Sequence, residues 1–182
     1  MSEEKKQPYS FFSPVYLTVT LAGIGKSPIA PGTLGSLVAA LEFTGYIKGV
    51  GLTGLTTYFA HVIFITLIGF YCVHSYCKNT GKKDPKEVII DEYVGQYIAQ
   101  LTSYAYCINF IEGFKHTYLL ILLSFIFYRI YDIVKPSLVG YCDKNLKGAA
   151  GVMLDDVVAG IFSSISVIIF FTLIYTVINA SA

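Results

Sequence analysis

Charged residues are scarce in this chain of 182 residues: Asp, Glu, Lys and Arg make up 14% of it, whereas hydrophobic residues make up 54%. A soluble globular domain carries roughly a quarter charged residues. The mean hydropathy of +0.61 agrees with this deficit, so the composition predicts a membrane protein. The formal net charge is only +1, which excludes the strongly basic surface by which many proteins bind nucleic acid.

The sequence also lacks tryptophan and any closely paired cysteines. Its four cysteines, Cys72, Cys77, Cys107 and Cys142, include no CxxC spacing. We therefore interpret them as apolar, buried thiols and not as disulfides or metal ligands. Without tryptophan, the 15 tyrosines are left to form the aromatic belt at the membrane interfaces.

Long apolar runs are present, and they predict the fold. A transmembrane helix needs roughly 20 mostly apolar residues. Four runs approach or exceed that length and a fifth is shorter and contains Glu42; they cover residues 55–77, 88–110, 117–134, 152–178 and the shorter 34–47. The prediction is an all-α, multi-pass transmembrane helical bundle of four to five spans. It forms a single domain over residues 1–182, with a Gly/Pro-rich polar loop before the first helix.

Lysines are distributed unequally between the two sides of this predicted bundle. If all five runs cross the membrane, one side receives only Lys48 and Lys115. The other side receives ten: Lys5, Lys6, Lys26, Lys78, Lys82, Lys83, Lys86, Lys135, Lys144 and Lys147. Because Lys and Arg are enriched in cytoplasmic loops, the lysine-rich side is predicted to face the cytoplasm.

Two adjacent acidic pairs, Asp91-Glu92 and Asp155-Asp156, interrupt the apolar runs. Each pair lies near the start of its run, and the topology places both on the cytoplasmic side. One acid at a helix start would be explained by the helix dipole alone, but ionisable residues within membrane segments are rare and usually functional. Carboxylates bind hard cations such as Mg²⁺ together with water and phosphate oxygens. The pairs therefore predict a divalent-cation site at the membrane surface.

The sole arginine of the chain falls in the same region. Arg129, Asp132 and Lys135 follow one another at intervals of three residues in YRIYDIVKP, so they share approximately one helix face, and Pro136 ends the helix. A guanidinium group is suited to bidentate contact with phosphate. An intrahelical Arg129–Asp132 pair beside a snorkelling lysine is the simpler alternative, and the sequence leaves both open.

A segment rich in glycine and proline, GIGKSPIAPGTLGS at residues 23–36, leads into the first apolar run and overlaps its first three residues. So much Gly and Pro predicts that the segment is not regular helix. Its free backbone amides and the hydroxyl groups of Thr33 and Ser36 would then be able to hold an anion, and a rigid turn is the alternative. The spacing GxxxxGK[ST] is absent, which excludes a nucleotide-binding P-loop.

Taken together, these segments resemble the phosphatidylglycerophosphatase A family. GIGKSPIAPGTLGSL, VIIDEYVGQYIA and YRIYDIVKP…DKN…GVMLDDVVAGIF are similar to the signature blocks of that family, in the same order, and they extend from residue 23 to residue 162. The resemblance implies a small, Mg²⁺-dependent enzyme of the bacterial inner membrane. Its substrate would be phosphatidylglycerol phosphate in the lipid bilayer, from which it removes the terminal phosphate to give phosphatidylglycerol.

The resemblance also implies roles for individual residues. The metal ligands would be the two acidic pairs, and the catalytic residues would be these and one more acid: Asp91, Glu92, Asp155, Asp156 and Asp132. The substrate phosphate would be bound by Arg129, Lys135, Ser27, Thr33, Ser36 and Asn145. The chain departs from the family at Ser137, where a proline is usual, and at Ala149-Ala150, where paired glycines are usual. The connection between the last two helices is therefore where this chain is expected to differ.

Other phosphatase mechanisms do not fit the sequence. A cysteine nucleophile requires Cys six residues before the arginine, where this chain has Leu123, and the DxDx[TV] and KxxxxxxRP motifs of two further classes are absent. Direct attack by a metal-activated water remains, with Asp132 either orienting Arg129 or acting as the general base. The alternative function is a cation- or proton-coupled transporter, but its charges should lie near the bilayer midplane on broken helices. The sequence does not indicate an oligomeric state.

Overall fold

The structure, a computed structural model, describes residues 9–50 and 54–180, and within these ranges it contains helices and no strand. The predicted all-α fold is confirmed. The elements are α1 (Pro14–Val19), a 3₁₀ turn (Ile24–Lys26), α2 (Pro31–Val50), α3 (Leu55–Thr80), α4 (Ile90–Phe110), α5 (Thr117–Val134), α6 (Ser137–Asn145) and α7 (Ala149–Ala180). Two lysines of the topology count, Lys5 and Lys6, lie outside the described residues.

The apolar runs of the sequence correspond closely to the long helices. In the described part of the chain, α3, α5 and α7 are long and apolar enough to cross a membrane, judged by length and composition. Helix α4 packs against all three of these helices, and α2 packs against α4 and α5. The prediction of four to five spans is compatible with this arrangement.

Exposed apolar side chains form a belt around the bundle, as expected of a surface that faces lipid. They include Phe59, Ile63, Phe64, Leu67 and Tyr71 on α3, Leu122, Ile126, Ile130, Ile133 and Val134 on α5, and Ile161, Ile165, Ile169, Leu173 and Val177 on α7. On α5 this belt ends at Val134, immediately before Lys135. The polar end of the bundle therefore begins at the edge of the lipid-facing surface.

Helices α4 and α7 cross at unusually short range because glycine lies on both sides of the contact. A Cβ atom added to Gly160 would lie 3.1 Å from the carbonyl carbon of Gly95 and 3.2 Å from its Cα. Small residues permit such close approach of backbones in membrane bundles. Since each acidic pair lies about one turn before its glycine, this crossing brings the starts of α4 and α7 together.

The Gly/Pro-rich segment differs from its prediction in two ways. First, a helix, α1, precedes the segment. Second, the later half of the segment is helical, because α2 begins at Pro31. The prediction that residues 23–36 contain no regular helix is therefore wrong for Pro31–Ser36. Proline is favoured at the first position of a helix, where its missing N–H has no intrahelical partner to lose.

The connection between α5 and α7 also contains a helix that the sequence did not predict. Helix α6 covers Ser137–Asn145, so Asp143 and Asn145 are helical residues and not loop residues. Four of its nine residues are polar, and only Val139 and Gly140 of the nine are buried. Such a short helix carries too little apolar periodicity to be recognised in advance.

Candidate active site

A cavity of about 600 Å³ opens at the polar end of the bundle. Its walls come from the start of α2, the connection between α3 and α4, the start of α4, the end of α5, α6 and the start of α7. The structure brings six of the predicted site residues together on these walls: Asp91, Glu92, Asp132, Lys135, Asp155 and Asp156. Three separate regions of sequence therefore supply the predicted acids and one lysine to a single space.

The first acidic pair owes its position to the way the chain enters α4. After α3 ends, the chain folds back along that helix, so that a Cβ on Gly69 would lie 3.5 Å from Ile90 Cγ1. Helix α3 continues from Gly69 to Thr80, so at 1.5 Å per residue its end lies roughly 16 Å beyond the point where it contacts Ile90. The backbone N–H of Ile89 donates to Val19 O at 2.8 Å and ties the entry to α1. The acidic pair thus lies at the bottom of a walled cavity.

Glycines of the Gly/Pro-rich segment pack directly on this entry. A Cβ at Gly25 would overlap the carbonyl oxygen of Glu87, and one at Gly32 would overlap Oε1 of Glu92. A Cβ at Gly35 would lie 3.2 Å from Ile89 Cβ. The glycines of this segment therefore allow the backbone to approach residues 87–92, which positions the first acidic pair.

The second acidic pair accepts hydrogen bonds from Tyr128 in α5 and from Lys135, which follows α5 directly. The hydroxyl group of Tyr128 donates to Asp156 Oδ1, and Lys135 Nζ donates to Asp155 Oδ2 at 2.8 Å. Tyr128 is fully buried and was not identified from the sequence. Its position four residues before Asp132 places it on the same helix face, and this spacing is the signal that points to it.

The two predicted phosphate-binding cations have different surroundings. Arg129 Nη1 lies 2.6 Å from Asp132 Oδ2 and donates to Ser36 Oγ at 3.3 Å, so the intrahelical pair is formed. Lys135 ends α5 in the left-handed conformation, with φ 49°, and its ammonium group also donates to Asp143. Of these two cations, only Lys135 lines the cavity.

The electrostatic environment keeps Lys135 charged. Burial alone would lower the pKa of the lysine, but its hydrogen bonds to the carboxylates of Asp143 and Asp155 outweigh burial and raise the pKa above its usual value. A cation is therefore fixed at the cavity wall beside the second acidic pair, throughout the physiological pH range.

Several carboxylate oxygens at the cavity are buried without a hydrogen-bond partner: Asp91 Oδ1, Glu92 Oε2 and Asp155 Oδ1. Burying such oxygens without compensation is costly, and hard oxygen donors are the ligands that Mg²⁺ prefers. In the described ranges, no three Asp, Glu, His or Cys side chains already surround one point as metal ligands. Mg²⁺ is commonly held by one or two carboxylates with waters and substrate phosphate completing its shell, so the donor set fits this ion.

Three predicted phosphate-binding residues lie elsewhere. Ser27 forms a local turn, in which its Oγ donates to Ile29 O at 2.9 Å, and Asn145 Nδ2 donates to Tyr141 O at 2.9 Å. Thr33 lies in the first turn of α2. None of these three is part of the cavity wall, and neither is Ser36, which contacts Arg129. The wall does include three lysines that were not among the predicted site residues: Lys83, Lys86 and Lys147.

Comparison with known proteins identifies the family of the chain. The family model for Phosphatidylglycerophosphatase A matches residues 17–171. The chain belongs to this family.

Relatives with assigned names match over most of their length. A phosphatidylglycerophosphatase A of Escherichia coli K12 is 33% identical over 152 residues, covering 84% of this chain and 80% of that protein. One from Haemophilus influenzae Rd is 30% identical over 161 residues, covering 87% and 89%. A Bacteroides thetaiotaomicron protein, provisionally named phosphatidylinositol-3-phosphatase, is 34% identical over 156 residues, covering 84% and 92%. No solved structure matches the chain.

Proposed function

We propose that this protein hydrolyses the terminal phosphomonoester of phosphatidylglycerol phosphate, giving phosphatidylglycerol and inorganic phosphate. The observation that carries the proposal is the convergence of five carboxylates, Asp91, Glu92, Asp132, Asp155 and Asp156, on one cavity at the edge of the lipid-facing belt. Membership in the phosphatidylglycerophosphatase A family supports this substrate.

The names of the relatives agree on the class of substrate. Phosphatidylglycerol phosphate and phosphatidylinositol 3-phosphate are both diacylglycerol lipids in which a phosphodiester carries a polyol with a terminal phosphomonoester. The names of the Escherichia coli and Haemophilus influenzae relatives favour the glycerol headgroup for this chain. The inositol lipid is the second substrate to test because a relative of comparable identity carries that name.

Mg²⁺ is the cofactor we propose, held by the acidic pairs at residues 91–92 and 155–156. A bound divalent cation would acidify a water molecule and stabilise the negative charge of the phosphoryl group. The unpartnered oxygens of Asp91, Glu92 and Asp155 are the proposed ligands. Tyr128 holds Asp156 in place through its hydroxyl group, so this carboxylate has a fixed orientation at the cavity.

The remaining polar residues supply charge and positioning. Lys135 contacts the phosphoryl oxygens of the substrate and stabilises their charge in the transition state. Asp132 keeps Arg129 in place through their ion pair, and Arg129 in turn fixes the start of α2 through Ser36. Arg129 therefore acts as a positioning residue, consistent with its absence from the cavity wall.

The reaction balances as a simple hydrolysis. The oxygen of water forms a new bond to phosphorus, while the bond between phosphorus and the glycerol oxygen breaks. The water gives up a proton to a carboxylate of the cavity, and the departing glycerol oxygen takes up a proton. Phosphatidylglycerol then leaves as the alcohol, together with inorganic phosphate.

We further propose that the protein resides in the bacterial inner membrane with the cavity facing the cytoplasm. The lysine bias supports this orientation, because the described lysines of the larger group lie at or beyond the cavity end of the helices. The transporter alternative has no support in the structure: the acids lie at the ends of continuous helices and not at breaks near the midplane.

The decisive test of substrate uses purified protein in neutral detergent micelles containing phosphatidylglycerol phosphate. We expect phosphatidylglycerol and inorganic phosphate to appear in equal amounts. Asp156→Asn should lose most of this activity, whereas Asp143→Asn, which changes a cavity acid outside the two pairs, should lose less. Release of no phosphate from this lipid or from phosphatidylinositol 3-phosphate would refute the proposed function.

A further inference from the structure

We propose that Lys83, Lys86 and Lys147 form a second phosphate subsite at the rim of the cavity, which binds the diester phosphate that joins the headgroup to diacylglycerol. This inference rests on the proposed function, since it assumes a lipid with both a terminal and a diester phosphate. It assigns a binding role to residues outside the acidic pairs and outside the signature positions of the sequence.

The walls of the cavity are divided by charge. The two acidic pairs lie at the bottom, where helices α4 and α7 begin. Asp91, Asp155 and Asp156 are buried there and Glu92 is partly buried. The lysines come from the two connections that border the opening: Lys83 and Lys86 precede α4, and Lys147 precedes α7. All three side chains are exposed. A ligand that enters the cavity thus passes a cationic rim before it reaches the acidic floor.

Within the described residues, the three rim lysines form no ion pair with an acidic side chain. In the part of the chain that the structure describes, Lys82 pairs with Glu87 at 2.5 Å and Lys135 pairs with Asp155 at 2.8 Å, whereas no ion pair involves Lys83, Lys86 or Lys147. Asp84 is the acid that lies among them on the rim. The rim therefore retains an excess of positive charge that is available to an anionic ligand.

The connection that carries two of these lysines is held rigidly. Glu87 is buried and accepts hydrogen bonds from Tyr76 OH at 2.8 Å and Lys82 Nζ at 2.5 Å. Burial would raise the pKa of Glu87, but the hydrogen bonds from Lys82, its own backbone amide and Tyr76 outweigh burial and hold the pKa below its usual value. Since Glu87 is anchored as a carboxylate, the backbone that carries Lys83 and Lys86 is held at the opening.

The chemistry of the substrate matches this division. Its two phosphates are separated by one glycerol unit, and the acyl chains follow the diester phosphate. When the terminal phosphate reaches the acidic floor, the diester phosphate must lie towards the opening and the edge of the lipid-facing belt. A singly charged phosphodiester requires no metal ion, and lysine ammonium groups bind phosphate as point charges.

The two products of the proposed reaction probe the two subsites separately. Phosphatidylglycerol retains the diester phosphate and lacks the terminal one, so its binding reports on the rim. Inorganic phosphate resembles the terminal group and reports on the floor. The binding of phosphatidylglycerol in neutral detergent micelles is measured on the full-length protein carrying Lys83→Ala together with Lys86→Ala, and on Lys147→Ala. Lys78→Ala with Lys144→Ala is the matched control, because both lysines are exposed at the same end but lie outside the cavity wall.

We expect the rim double variant to bind phosphatidylglycerol at least about fivefold more weakly, since each partly exposed pair contributes modestly, while the control variant binds as the wild type does. In turnover of phosphatidylglycerol phosphate, the KM should rise with little change in kcat, and inhibition by inorganic phosphate should stay constant. Equal binding in rim and control variants, or an equal loss in both, would overturn the proposal, the latter result indicating attraction by general surface charge. Absence of turnover in the wild-type protein would refute the proposed function, whereas the binding comparison would still decide the rim subsite.

Discussion

The close crossing of α4 and α7 leads to a quantitative prediction for Gly160→Ala. The added methyl group would meet the backbone of Gly95 at 3.1–3.2 Å, and its carbonyl oxygen closer still. Backbone cannot rotate away as a flexible side chain does, so the two helices must separate. Overpacking of this kind costs about 1–3 kcal/mol in the free energy of unfolding, and removal of a glycine from a helix offsets roughly 0.4–1 kcal/mol of it.

The same separation should disturb the site, because each acidic pair lies about one turn before the crossing. A misplacement of about 1 Å in a catalytic constellation can reduce the rate by roughly 100-fold. The assay combines the thermal unfolding midpoint in detergent with kcat for phosphate release. Gly45→Ala is the control: it is also a glycine within a helix, but its added Cβ has no atom within 4 Å. We expect Gly45→Ala to be as active as the wild type and equally or more stable. A Gly160→Ala variant that matches it in both measurements would refute the tight crossing.

Two further substitutions test individual contacts. Glu87→Gln removes a carboxylate whose pKa is lowered in the folded protein, so its stabilising effect is present above the unfolded value of about 4.3 and is lost as the pH falls through the folded value. The variant should therefore unfold at a lower temperature than the wild type at pH 7, and this gap should shrink below about pH 4.3; a gap independent of pH would contradict the assignment. Tyr128→Phe removes the donor to Asp156 and should cost about 2 kcal/mol of stability, as expected when a buried acceptor loses its hydrogen-bond partner, together with much of the activity. Tyr131→Phe, which loses only a contact with Ser166 at 2.8 Å, should stay active; equal activity in the two variants would argue against a role for Tyr128.

The long helices could be predicted from the sequence because they depend on length and apolar composition. The run at residues 117–134 matches α5 at both ends, and the other long runs differ from their helices by only a few residues. The proximity of the two acidic pairs could also be predicted, because the lysine count placed the starts of both helices that carry them on the same side of the membrane. Length and apolar composition are local properties of each segment, and the lysine count is a sum over the chain, so neither requires knowledge of contacts between distant residues.

Features that depend on contacts between distant segments could not be predicted in the same way. The glycines at residues 25, 32 and 35 looked like part of an anion-binding loop, but their neighbours in space are residues 87–92, which lie far away in sequence. The sequence suggested two partners for Arg129, a substrate phosphate and Asp132. Only the packing of α2 against α5 shows that Ser36 also lies within hydrogen-bond distance of this arginine. Likewise, nothing in the spacing of Lys83 and Lys147 indicates that both border one opening.

The Mg²⁺ dependence of phosphate release from phosphatidylglycerol phosphate tests the central claim, that the two acidic pairs form a divalent-cation site for lipid phosphate hydrolysis. Initial rates are measured over a range of Mg²⁺ concentrations, and with excess chelator, for the wild type and for Asp91→Asn and Asp155→Asn. We predict no activity with chelator, saturable activation by Mg²⁺ in the wild type, and a half-activating concentration at least about tenfold higher in each variant, equivalent to 1.4 kcal/mol of lost binding. Full activity in the presence of chelator, or activation curves that coincide for the wild type and both variants, would contradict the account.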